Sequence, residues 1–250
     1  MKYGTTRRDD FFRYEFFVWF SATLLFLVLT PPAFSQEVHW GVKGGIPLAD
    51  YFRTAGNSFG RGYATKINRY TVGPTLEADL PSRLGLELGI LYKRQHFTGL
   101  AVSSLRGPTF PFDVYVNQKT TVDSWEVPIL LKYSLSDRRT HPFVEWGASL
   151  QYLSNVRQVS TTTHLRGPTF PTTTIETTTT DTPEELERSF NVGLVMGTGV
   201  EFRLPPLRIS PEFRSTLWGF RNFRAFTAAT FNGLLESSRD QIEFLLGISF

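Results

Sequence analysis

The ionisable residues that could do chemistry in this chain recur at alternate positions of short apolar segments. Counted by this alternation, eight acids and seven bases fall on the polar side of their segments: Glu77, Asp79, Glu87, Glu126, Glu145, Glu201, Glu212 and Glu243 with Lys43, Arg69, Lys93, Lys132, Arg203, Arg208 and Arg214. Alternate residues of a β-strand share one face. We therefore predict an interior lumen charge network made of Glu87, Lys93, Glu126, Lys132, Glu145, Glu201, Arg208, Glu212, Arg214 and Glu243. The near balance of signs favours mutual ion pairing, and an ion path through the lumen is the alternative.

Other residue types offer little catalytic chemistry. The chain has no cysteine, so disulfides, thiolate metal sites and thiol catalysis are excluded. The histidines are scattered at His39, His96, His141 and His164, with no pair at metal-ligand spacing. His96 with Ser103 or Ser104 is the one Ser–His combination that we consider as a nucleophile and base near the outer rim of a barrel. We predict no catalytic, cofactor-binding or metal-binding residues and no enzymatic activity.

Eight segments with a two-residue hydrophobic rhythm must position these charges, and they are predicted to be β-strands. They span residues 38–46, 69–78, 84–93, 125–134, 144–152, 190–203, 207–214 and 241–250. In the last of them Ile242, Phe244, Ile248 and Phe250 share one side, and only Leu245 breaks the alternation. Each is about 9 to 12 residues long, which is enough to cross a bilayer as a tilted strand.

The connections between these strands alternate between short and long. Residues 80–83, 136–141 and 204–206 form the short ones, and residues 47–65, 98–122, 154–188 and 219–238 form the long ones. This alternation is typical of outer-membrane barrels, with tight periplasmic turns and long extracellular loops. We therefore predict an all-β fold, an eight-stranded antiparallel transmembrane β-barrel closed by pairing of 38–46 with 241–250.

Two residue types refine this prediction. Pro74, Pro128 and Pro211 lie inside strands and lack an N–H donor, so we expect local bulges there. Aromatic residues cluster near strand ends, as the interfacial girdles of a membrane barrel require: Trp40, Tyr70, Tyr92, Trp125, Tyr133, Tyr152, Phe202 and Phe250.

Residues 1–35 are predicted to be a secretory signal peptide. Basic residues precede an apolar run over 16–29 and a small-x-small exit at Ala33 and Ser35, with cleavage after Ser35. An uncleaved signal anchor is the alternative. The barrel domain then spans residues 36–250. The formal net charge of +3 is too near neutral to indicate nucleic-acid binding.

One seven-residue motif occurs twice. Leu-Arg-Gly-Pro-Thr-Phe-Pro fills residues 105–111 and again 165–171. We predict that the copies sit at similar heights on adjacent loops and that Arg106, Phe110, Arg166 and Phe170 make surface contacts, since Arg and aromatic residues are enriched in binding sites. A hairpin duplication that only extends the sheet is the alternative. The threonine-rich stretch around the second copy is predicted to be either a protruding β-ribbon or a tether.

Five short motifs together resemble a known family. Gly41-Val-Lys-Gly-Gly45, Val72-Gly-Pro74, Trp125-Glu-Val-Pro128, Gly197-Thr-Gly-Val-Glu-Phe202 and Pro211-Glu-Phe-Arg214 are similar to strand motifs of the outer membrane protein beta-barrel domain family, eight-stranded relatives of OmpA and OmpX. The resemblance implies the fold and a location in the Gram-negative outer membrane. The partners it implies are outer-membrane lipids and, through the terminal strand ending at Phe250, the barrel assembly machinery.

We expect a non-enzymatic protein with no cofactor, structural or surface-binding through its extracellular loops, whose extracellular partner the sequence does not identify. A narrow porin-like channel for small solutes or ions is the alternative function.

Overall fold

The computed structural model describes residues 37–49, 52–54, 61–106, 111–166, 173–183, 185–224 and 235–250. For 52–54, 61–68, 100–106, 111–114, 165–166, 173 and 235 it describes the backbone alone. The folded unit comprises Val38–Phe250. The signal peptide prediction for residues 1–35 lies outside the described residues. Within the described ranges, no helix has the length and apolar character needed to cross a membrane.

The alternating segments form the wall of a closed antiparallel barrel. The strands are β1 Val38–Pro47, β2 Phe52–Thr54, β3 Arg61–Leu80, β4 Leu84–Gly89, β5 Leu91–Arg106, β6 Pro111–Ser134, β7 Thr140–Arg166, β8 Thr173–Thr180, β9 Phe190–Leu204, β10 Leu207–Trp218, β11 Leu235–Ser237 and β12 Asp240–Ser249. The ring runs β1, β3, β4 with β5, β6, β7, β9, β10, β12 and back to β1. Because β4 and β5 continue one another, eight strands make the wall, as predicted.

The first and last strands close the ring. Their pairing runs from Gly41 opposite Ser249 to Pro47 opposite Glu243. Beyond it, Trp40 and Phe250 exchange backbone hydrogen bonds of 3.1 and 2.9 Å. The predicted closure is confirmed, and it leaves no open wall edge whose unpaired amides would face hydrocarbon.

The two-residue rhythm separates the two faces of the wall. On β12, Ile242 and Ile248 point outward and are each 44% exposed, whereas Glu243 is buried inside. Leu245, the residue that breaks the alternation, is also buried inside the barrel.

The prediction of bulges at the three prolines is wrong. The registers through Pro74 and Pro211 continue without a shift, and so does the β6–β7 register through Pro128. Instead, the wall strand is interrupted at Ile90, whose N–H bonds to the Pro74 carbonyl at 3.0 Å. A proline therefore costs a ladder hydrogen bond here without inserting an extra residue. The register shifts that the structure records lie at Ala64/Lys66 and Asp123/Ser124.

The wall extends far past its membrane-spanning part on the long-connection end. The β6–β7 ladder continues, with one register shift at Asp123/Ser124, to Phe112 opposite Arg166. Paired strands therefore fill much of the long connections 98–122 and 154–188. Thirteen residues separate Trp125 from Phe112, a length of about 43 Å along an extended strand. β8 adds to the outer part of β7 from Leu165 opposite Thr173 to Gln158 opposite Thr180. The threonine-rich stretch is thus a ribbon.

Aromatic side chains form a girdle at each end of the apolar outer band. Near the short turns, Trp40 and Phe250 are 62% and 65% exposed. At the other end, the Tyr92 ring lies 5.3 Å from the Trp125 ring and 6.1 Å from the Tyr70 ring, measured between centroids. Such girdles mark the two interfaces of a membrane barrel.

The barrel interior has two kinds of core. Charged side chains fill its centre and its short-turn end. The other end holds an apolar cluster of Phe97, Val122, Leu153, Val156, Trp218 and Phe223, with Leu186 packed against it. Leu186 and Phe223 come from the connections after β8 and β10, and an isolated bridge pairs them. The two connections therefore fold into the mouth of the barrel.

Candidate functional site: the lumen charge network

The upper layer of the lumen has one cation for two carboxylates. Lys93 Nζ, on β5, lies 2.6 Å from Glu243 Oε2 on β12 and also pairs with Glu126 on β6. Thr71 donates to Glu243 at 2.9 Å, and Ser149 donates to Glu126 at 2.8 Å. All three charged side chains are fully or almost fully buried. The layer joins strands from opposite parts of the ring and so crosses the lumen.

The middle layer has two cations for three carboxylates. Lys43 Nζ lies 2.7 Å from both Glu87 oxygens and 2.7 Å from Glu212 Oε2. Arg214 donates to Glu212 at 2.8 Å, to Glu145 at 3.1 Å and to Glu87 at 3.2 Å. Every member is buried. Since each carboxylate contacts a cation, the interior charges compensate most of the cost of removing them from water.

The lower layer lies next to the short turns. Lys132 Nζ contacts Glu201 at 2.7 Å and Glu77 at 3.0 Å. Glu201 also accepts from Arg203 at 3.0 Å and lies 3.8 Å from Arg208, which pairs with Asp79 at 3.1 Å. A cavity of about 140 Å³ opens beneath this layer, lined in part by Glu77, Asp79, Lys132 and Arg203. Solvent therefore reaches the lower layer from the short-turn end and meets ion pairs there.

In the part of the chain that the structure describes, two groups of side chains have the composition of metal ligands. The oxygens of Glu87, Glu145 and Glu212 lie within 4.8 Å of one another, but the Lys43 and Arg214 cations already contact all three carboxylates. The second group is Glu37, His39 and Asp79 at the short-turn end. There His39 Nε2 lies 3.3 Å from Asp79, which the Arg208 guanidinium also contacts. Resident cations thus occupy the positions where a metal ion would bind.

The fold and this interior agree with a known family. Residues 34–224 match the outer membrane protein beta-barrel domain family. The chain belongs to this family. It is an integral protein of the outer membrane, with its short turns on the periplasmic side and its long connections outside the cell.

Several solved outer-membrane proteins are similar to the chain. Neisserial surface protein A is 11% identical, with a TM-score of 0.34 and coverage of 86% of this chain and 98% of that one. Ail, the attachment invasion locus protein of Yersinia pestis, is 8% identical, with a TM-score of 0.30 and coverage of 86% and 95%. OprG of Pseudomonas aeruginosa is 9% identical, with a TM-score of 0.33 and coverage of 86% and 93%. No curated protein matches the chain.

The structure brings the sequence-predicted interior residues together. All ten residues of the lumen charge network lie inside the barrel and take part in the three layers. Lys43, also predicted to face inward, links two carboxylates of the middle layer. The side chain of Arg69, on β3, donates to the Leu48 and Ala49 carbonyls just after the end of β1. The apolar cluster was missed, because the packing of Leu186 and Phe223 depends on long connections whose conformation has no periodic signal.

The structure describes only two of the four residues that were predicted to make loop contacts. Arg106 and Arg166 have a described backbone at the ends of β5 and β7, whereas Phe110 and Phe170 lie outside the described residues. Phe112 pairs with Leu105 on one side and with Arg166 on the other. The first two residues of the two motif copies therefore lie at similar heights on β5 and β7, the two strands that flank β6.

The Ser–His combination considered from the sequence is not assembled. Ser103 and Ser104 lie on the same strand as His96, at least seven residues further along, which is about 23 Å. His96 Nδ1 contacts Thr121 Oγ1 at 2.9 Å. The separation of about 23 Å between His96 and the two serines is too great for a Ser–His nucleophile.

Proposed function

We propose that the protein is a non-enzymatic, non-conducting outer-membrane barrel that works through its extracellular surface. The observation that carries this proposal is the filled lumen, in which ion pairs from opposite wall strands and an apolar cluster follow one another along the barrel axis. An eight-stranded barrel is just wide enough for its own side chains to fill. The lumen is therefore a structural plug that holds the wall rigid.

The composition of the lumen argues against the alternative of a narrow channel. A permeating ion would have to separate the Arg214 guanidinium from three carboxylates that contact it within 3.2 Å. It would then have to cross the apolar cluster, where Trp218 and Phe223 are fully buried. A dehydrated ion in an apolar environment is strongly disfavoured.

The extended sheet supports a role at the cell surface. β5, β6 and β7 are hydrogen-bonded to each other from the membrane to residues 106, 111 and 166. A surface built on paired strands is preorganised, so binding to it loses little conformational entropy. Arg106 and Arg166, the second residues of the two motif copies, end β5 and β7 at its far end.

A binding assay, combined with a measurement of thermal unfolding, tests this function. Purified protein in lipid nanodiscs is applied to arrays of immobilised matrix proteins and glycans, and compared with a variant in which Arg106, Phe110, Arg166 and Phe170 are all alanine. We expect at least tenfold weaker binding from the variant, with an unchanged thermal unfolding midpoint. The control changes Arg138 and Arg139, exposed on a periplasmic turn, to alanine and should bind like the wild type. Equal binding by all three proteins would reject the surface-binding role.

We also propose that the barrel assembly machinery recognises the terminal strand through Phe250. This aromatic residue is 65% exposed at the end of the strand that closes the ring. Phe250→Ala keeps the backbone hydrogen bonds to Trp40. It should slow folding into proteoliposomes that contain the machinery, and should leave spontaneous folding into thin bilayers unchanged. Loss of both rates to the same extent would indicate a purely structural role.

A further inference from the structure

A patch of basic side chains lies on the outer surface of β5, β6 and β7, directly beyond the extracellular aromatic girdle. The register aligns outward residues of the three strands in rows that follow one another away from the membrane. These rows are Tyr92, Trp125 and Tyr152, then Arg94, Asp123 and Asn155, then His96, Thr121 and Arg157, then Thr98, Lys119 and Val159. The register shift next to Asp123 keeps β7 in phase, so that Arg157 faces outward like Tyr152.

The first row fixes the depth of the membrane interface. Trp125 and Tyr152 are 44% and 54% exposed on the outer face, and the Tyr92 and Trp125 rings are in contact. Below them the outward residues of β6 are Val127, Ile129 and Leu131, which are apolar. Aromatic residues at such a boundary sit at the level of lipid headgroups. Successive rows are about 6 to 7 Å apart along the strands, so the second and third rows lie at and just beyond the headgroups.

The charges of these rows are predominantly positive and accessible. The Arg94 side chain is 51% exposed, and Lys119 and Arg157 are exposed. Among the described residues, neither Lys119 nor Arg157 makes an ion pair or a side-chain hydrogen bond. The one acid, Asp123, is only 12% exposed, because Asn155 donates to it at 3.2 Å and Arg94 lies 3.5 Å away. Three cations therefore face solvent around one largely covered carboxylate.

The three cations surround a common point. Thr121 is the direct neighbour of Arg157 across the sheet, and Lys119 and Arg94 lie one row above and one row below it. From strand spacing and rise, their Cα atoms are about 8 to 14 Å apart. Side chains of this length can converge above Thr121 from such distances. The arrangement has the size and charge to hold one phosphate group, with guanidinium forks available from two sides.

We propose that Arg94, Lys119 and Arg157 form a binding site for the phosphate groups of an anionic lipid of the outer leaflet. A lipid is favoured over a soluble anion because the site continues directly into the aromatic row, which would contact the acyl chains next to the headgroup. Basic residues near a membrane surface attract anionic headgroups in this way. The site would anchor the base of the extended sheet to the surrounding lipid.

The test measures lipid binding to the folded barrel in phosphatidylcholine nanodiscs doped with diphosphorylated lipid A. The patch variant carries Arg94→Gln, Lys119→Gln and Arg157→Gln. The matched control carries Arg83→Gln, Arg138→Gln and Arg139→Gln, three exposed cations on the periplasmic turns. We expect the patch variant to bind lipid A at least tenfold more weakly than the wild type, and the control to bind equally. Lipid A without phosphate should bind the wild type as weakly as diphosphorylated lipid A binds the patch variant.

A charge-conserving variant and a soluble polyanion complete the experiment. Should the patch variant fail to fold, Arg94→Lys with Arg157→Lys keeps the charge and removes the forks, and it should lose about threefold in affinity. The wild type is also titrated with heparin as a soluble sulfated polysaccharide. Equal lipid A binding by wild type and patch variant would overturn the proposal. So would tight binding of heparin by a wild type that does not discriminate between phosphorylated and unphosphorylated lipid A.

Discussion

Replacing Lys93 by methionine should destabilise the barrel strongly, because Lys93 is the cation shared by two buried carboxylates. Glu126 and Glu243 both contact its ammonium group, and none of the three side chains is more than 1% exposed. Removing one partner of a buried pair typically costs about 3 to 5 kcal/mol, since the other charge is left uncompensated. Here two carboxylates would be left, so we expect the upper part of this range for Lys93→Met.

A second substitution in the upper layer, Glu126→Gln, should change the stability of the barrel very little. Glu126→Gln leaves Lys93 paired with Glu243 alone, and the glutamine oxygen can still accept from Ser149. We expect a change of less than about 1 kcal/mol, because the layer then holds one charge of each sign. The control is Arg83→Gln, which removes an ion pair with Asp137 in which both side chains are about half exposed or more. Such surface pairs contribute about 0 to 1 kcal/mol.

The assay is reversible urea unfolding in lipid vesicles, followed by tryptophan fluorescence and by the gel mobility of the folded barrel. The triple variant Lys93→Met, Glu126→Gln and Glu243→Gln should recover most of the stability that Lys93→Met alone loses, because no charge of the upper layer remains. The reasoning would be refuted if Lys93→Met and Arg83→Gln lost the same free energy of unfolding. It would also be refuted if Glu126→Gln cost as much as Lys93→Met.

Four further variants test other parts of the fold. Gly147→Ala places a Cβ onto the Ile129 carbonyl oxygen and should cost at least about 1 to 3 kcal/mol. In Gly44→Ala the added Cβ would lie 3.9 Å from the Thr71 carbonyl oxygen, its nearest neighbour. This variant should therefore unfold like the wild type in the same urea titration. Trp218→Ala should cost about 3 to 5 kcal/mol by emptying the apolar cluster, measured by calorimetry. Trp218→Phe keeps most of the packing but removes the 3.0 Å hydrogen bond to Gln241, and it should cost about 1 to 3 kcal/mol. Equal losses for the two Trp218 variants would contradict the cluster's contribution.

The membrane-spanning part of the fold follows from the alternation of side chains. A strand has two faces and a bilayer barrel has two environments, so Lys93 and Glu126 are assigned to the lumen by parity alone. That opposite charges pair in the lumen follows as well, because the interior of an eight-stranded barrel is narrow. Even Leu245, which breaks the rhythm, is on the inner face, as its position in the alternation requires.

The parts that the sequence could not provide depend on long-range packing. Residues 98–122 and 154–188 have too weak an alternation to be distinguished from loops, yet β5, β6 and β7 extend through much of them because each strand has a neighbour to pair with. The apolar cluster also escaped prediction. Trp218 and Phe223 lie near or beyond a predicted strand end, and only the folded connection shows which wall residues they meet. The expectation that a proline inside a strand causes a bulge was wrong at Pro74, because the closed ring keeps the strands in register although one ladder hydrogen bond is missing.

The most direct test of the account is the conductance of the purified barrel in planar lipid bilayers. If the ion pairs and the apolar cluster fill the lumen, the folded protein inserts without steady current at either polarity. Long-lived open channels of uniform conductance, from protein shown by gel mobility to be folded, would contradict the plugged barrel and restore the channel as the function to be tested.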